Sequence, residues 1–68
     1  MRDKLYQTLV ARYEADIADA KFKIDTFLDR TTFIPEHVDI TGEIDKLLQI
    51  VTDAEDKMST LRQYYGKM

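Results

Sequence analysis

Apolar positions along the chain recur in alternating steps of four and three. In the first half they are Tyr6, Val10, Tyr13, Ile17, Ala20, Ile24 and Phe27. In the second half they are Ile40, Ile44, Leu47, Val51, Ala54, Met58, Leu61 and Tyr65. This spacing keeps one stripe of an α-helix apolar and is incompatible with a strand, whose side chains alternate with period two. It is the heptad seam of helices packed at a shallow left-handed crossing. The pattern predicts an all-α fold: helix over 3–30, loop over 31–39, helix over 40–65, one domain in all.

Breaker residues mark the same boundaries. The single proline, Pro35, sits at mid-chain, and the two glycines are Gly42 and Gly66. Thr31 and Thr32 have weak helix preference, and Pro35 pushes Ile34 toward extended backbone, so the first helix stops near Arg30. Asp3 is placed to cap or support the first turn. Asp39 or Thr41 can serve as N-cap of the second helix, with Glu43 in its opening turn. Gly66 is placed to end that helix, and Arg62 and Lys67 complement its negative end. Asp19 with Lys23, and Asp53 with Lys57, are acid-before-base pairs at i,i+4.

A connection this short folds the helices back antiparallel. One register makes seven consecutive layers apolar: Phe27 with Ile44, Ile24 with Leu47, Ala20 with Val51, Ile17 with Ala54, Tyr13 with Met58, Val10 with Leu61, Tyr6 with Tyr65. A slip of one heptad is the competing register. The two central alanines predict the closest approach of the helices.

Apolar residues remain beyond the seam. Ala11, Ala15, Ala18 and Phe22 form a second stripe on the first helix, rotated by roughly 100 to 140° from the seam at about 100° per residue. Leu5 and Leu9 lie on the opposite flank. On the second helix Leu48 and Ile50 bracket the seam, with Tyr64 on the Ile50 side. Either the alanines are helix formers on a wet face, or these positions pack against another copy, most simply as a dimeric four-helix bundle. Phe22 among alanines favours the second. The loop residues Phe33 and Ile34 either plug the hairpin end or offer a partner an apolar tip.

Length sharpens the case for assembly. At 68 residues a single core supplies little net stability, and with no cysteine there are no disulfides and no thiolate metal sites. The net charge of −3 comes from 13 acids and 10 bases, well mixed, so no basic face for nucleic acid is evident. No apolar run approaches the roughly 20 residues that span a bilayer, and Met1 to Lys4 open no signal segment, so a cytoplasmic, non-membrane protein is expected.

Chemistry is sparse. His37, in the run Glu36, His37, Val38, Asp39, is the only histidine and has no companion nucleophile or second imidazole. Asp53, Glu55 and Asp56 lack the glycine-centred spacing of an EF-hand loop, and the di-iron Glu-x-x-His pattern is missing. No glycine-rich phosphate loop occurs. No catalytic, metal or cofactor residues are therefore assigned, and an enzyme is not expected. A small-ligand alternative, a sequestering protein holding a nucleotide between protomers, would use Arg12, Arg30, Arg62, Tyr64 and Tyr65.

The runs RYEADIADAK (12–21), EHVD (36–39), EID (43–45) and AEDK (54–57) resemble small uncharacterised helical proteins of large tailed bacteriophages, including those of cyanobacteria. The resemblance implies a viral accessory protein made in host cytoplasm, with a host or viral macromolecule as partner. It carries no catalytic residues.

Overall fold

In a computed structural model, residues 1–29 and 39–66 are described. Helix α1 runs Arg2–Asp29 and helix α2 runs Ile40–Tyr65. The Met1 carbonyl accepts from the Leu5 N–H at 3.1 Å and so closes the first turn. Asp3 therefore lies inside that turn, beside the positive helix end, and is not its cap. The threonines in α1 are accommodated by folding their hydroxyls back: Thr8 donates to the Lys4 carbonyl at 2.6 Å and Thr26 to that of Phe22 at 2.9 Å.

Asp39, not Thr41, is the N-cap of α2. Its Oδ1 accepts from the Gly42 N–H at 2.9 Å, and its carbonyl accepts from the Glu43 N–H at 2.9 Å. Gly42 makes room for this arrangement. A Cβ there would run into the Asp39 carboxylate, with Cγ only 2.8 Å away. At the far end, Gly66 donates its N–H to the Arg62 carbonyl at 3.0 Å with φ −77°. That is right-handed backbone, so Gly66 ends the helix without the left-handed turn that usually selects glycine.

The helices pack against each other as an antiparallel hairpin about 50 × 15 × 15 Å in extent. Phe27 shares a depression with Glu43 and Leu47, Ile24 with Leu48 and Val51, and Tyr6 with Leu61 and Tyr65. These neighbours match the seven-layer register to within a turn. A heptad slip would set Phe27 near position 37 or 51 and Tyr6 near 58 or beyond the chain.

The seam is the core. Ala20, Leu47 and Ala54 are buried, while Tyr6, Val10, Tyr13, Ile17, Ile24, Phe27, Ile44, Val51, Met58 and Leu61 are half-buried. Two of the three residues buried among those described are the central alanines. Tyr65, expected on the seam, is 54 % exposed, because the last layer has only Tyr6 beneath it.

Candidate interaction surface

Two flanks run the length of the hairpin, each built from one heptad column per helix. On the first flank, Glu14, Lys21 and Leu28 of α1 stand beside Leu48, Glu55 and Arg62 of α2. Arg62 reaches Glu14 at 4.0 Å across the groove, and Lys21, Leu48 and Glu55 line one depression. On the second flank, Leu9, Asp16 and Lys23 of α1 stand beside Glu43, Ile50, Lys57 and Tyr64 of α2. Lys23 and Glu43 line a common depression there.

The second flank is greasiest where the chain ends meet. Leu5, Tyr6, Leu9, Leu61 and Tyr65, with Arg2, Asp3 and Gly66 at the rim, line an apolar hollow of about 240 Å³. Leu9 is half-buried in it, whereas Leu5 is 59 % exposed. Tyr64 and Ile50 are largely exposed on the same flank. Leu48 is on the other flank, and Leu28, which sequence reasoning missed, joins its column there and is also exposed. The signal for Leu28 was its place one heptad after Lys21 and two after Glu14.

The stripe of Ala11, Ala15, Ala18 and Phe22 is exposed throughout, Phe22 at 71 %. Phe22 lies two residues from both Ala20 and Ile24, which at about 100° per residue puts its Cα on the outer side of α1, while the residue still lines the edge of the depression formed with Lys23, Glu43 and Leu47. The Cα of Ala15, between Tyr13 and Ile17, is on that outer side too. These two residues sit further round than the expected 100–140°, while Ala11 and Ala18 fall within it. The predicted interface residues thus occupy three separate places: the second flank, the Leu48 side of the first flank, and the outer face of α1.

Charges sort by flank. Lys23 pairs with Asp19 at 3.0 Å, and Lys46 with Glu43 at 3.6 Å. Asp53 accepts from the Gln49 amide at 2.8 Å instead of pairing with Lys57 as its spacing suggested, since the amide lies one turn back on the same face. Asp16 and Lys57 form no ion pair with any described residue.

The groups considered for a nucleotide do not converge within the chain. Arg62 points to the first flank toward Glu14, while Tyr64, two residues on, belongs to the second. Among the described residues no three His, Cys, Asp or Glu come together to hold a metal ion, and no described helix is long and apolar enough to cross a membrane. Arg30, Phe33, Ile34 and His37 lie outside the described residues.

No protein-family model, curated protein or solved structure matches the chain.

Proposed function

We propose that this chain is a non-enzymatic helical interaction protein that associates with itself and presents its remaining apolar surface to a macromolecule. The likeness to tailed-phage proteins makes a host or viral protein in the host cytoplasm the natural target.

One observation carries the reading. The chain exposes 5736 Å². A compact folded monomer of 8.0 kDa exposes about 4,450 Å² by the usual scaling. The surplus, about 1,300 Å², exceeds the roughly 800 Å² that each partner contributes to a standard protein interface. It is also apolar in the wrong places for a solitary molecule, since Leu5, Phe22, Leu28, Leu48, Ile50 and Tyr64 are all 46 % exposed or more.

Sedimentation equilibrium from micromolar to millimolar concentration tests the first half of this reading. A dimer in the micromolar range is expected, and a monomer throughout would overturn it. Affinity capture from host lysate tests the second half, with Phe22→Glu as control. The expected result is a discrete host protein held by the wild type and released by the variant. Equal retention by both would remove the outer face of α1 as the partner surface.

A further inference from the structure

Self-association, as just proposed, leaves open which surface is used, and the apolar hollow at the chain ends singles out the second flank. The first flank pairs Glu14 with Arg62 across it within one chain, and its Lys21 and Glu55 line one depression. The second flank carries Leu9, Ile50 and Tyr64, and its Lys23 and Glu43 already hold partners on their own helices. Its two remaining charges, Asp16 and Lys57, are exposed and form no ion pair with a described residue. By the observed register Leu9 lies within a turn of the height of Tyr64, Asp16 of Lys57, and Lys23 of Ile50.

We infer that the second flank docks against the same flank of a second copy of this chain, with the two-fold axis along the hairpin and both open ends at the same end of the bundle. That axis sets α1 of each copy against α2 of the other at equal height. Leu9 then meets Tyr64 twice, Asp16 meets Lys57 twice, and the methylene stem of Lys23 covers Ile50. The perpendicular two-fold, with open ends apart, sets α1 against α1. Its centre would bring Asp16 onto Asp16 and Lys57 onto Lys57, like charges that disfavour pairing. A flank of 50 × 15 Å projects about 750 Å², close to one side of a standard interface. Phe22 borders this contact, lining one depression with Lys23 and Glu43.

Charge reversal tests the arrangement, read by sedimentation equilibrium. Asp16→Lys alone and Lys57→Asp alone should each weaken the dimer about tenfold or more, and the double variant should restore it. The chain has no cysteine, so Lys4→Cys carries a single spin label per copy. Open ends together place the two labels roughly 25 Å apart. Open ends apart place them beyond roughly 40 Å, at 1.5 Å of rise per residue. A dimer indifferent to both reversals, or labels at the longer distance, overturns this inference and leaves self-association standing. A monomer at every concentration overturns both.

Discussion

Asp39 and Gly42 act as a unit, and the unit makes a sharp prediction. Losing the cap carboxylate in Asp39→Ala should cost about 1 kcal/mol, lowering the melting temperature by several degrees in a chain this short. Gly42→Ala would ordinarily stabilise a helix by about 1 kcal/mol. Here the added methyl meets the Asp39 carboxylate, so the single substitution should gain nothing, while in the Asp39→Ala background it should recover the stabilisation. Denaturant melts of the four combinations measure this directly. Full additivity would contradict the geometry. The sequence left Asp39 and Thr41 both open as caps, because each can accept a hydrogen bond. Asp39 won because it stands three residues before a position with no side chain. The same limit explains Asp53: two partners lay one turn away on either side, and spacing does not choose between them. Phe22→Glu is the contrasting case. Its ring is 71 % exposed, so the substitution should change monomer stability by no more than about 0.5 kcal/mol, and a larger loss would mean the ring is packed.

Between the helices, the most fully buried of the described residues are two of the smallest. Ala20 and Ala54 are 1 % and 4 % exposed, leaving no space for longer groups. Ala20→Leu or Ala54→Leu should therefore destabilise by about 1–3 kcal/mol through overpacking, although leucine is more apolar. If chemical denaturation showed either variant stabilised, the alanines would not be the point of closest approach. Leu47→Ala should cost about 2 kcal/mol, near the low end for leucine truncation, because a hairpin this thin can partly collapse into the space. At this scale much was readable beforehand. The four-three spacing is a direct projection of helix geometry onto sequence, so the seam and both helices follow from it, while a slip of one heptad keeps the same spacing and left the register open. The mechanism at Gly66 was not readable, since glycine is compatible with a left-handed turn but does not enforce one.

For the molecule as a whole, the seam is too narrow to complete the fold. Three residues, among those described, are buried along a rod 50 Å long, while Leu5, Phe22, Leu28, Leu48, Ile50 and Tyr64 stay exposed. That surplus could be anticipated from residues such as Leu5, Leu9, Ile50 and Phe22 lying off the seam. Their grouping could not, because which α1 column shares a flank with which α2 column depends on how the helices face each other. The Glu14–Arg62 pair and the shared depressions set the Glu14 column beside the Arg62 column and the Lys23 column beside that of Glu43. If assembly completes the core, stability must depend on protein concentration. Thermal unfolding over a hundredfold concentration range is the most direct test. The midpoint should rise by roughly 5 °C for each tenfold increase, as expected for a folded dimer of this length separating into two unfolded chains. A midpoint that stays fixed across the whole range would contradict the claim that one hairpin is incomplete.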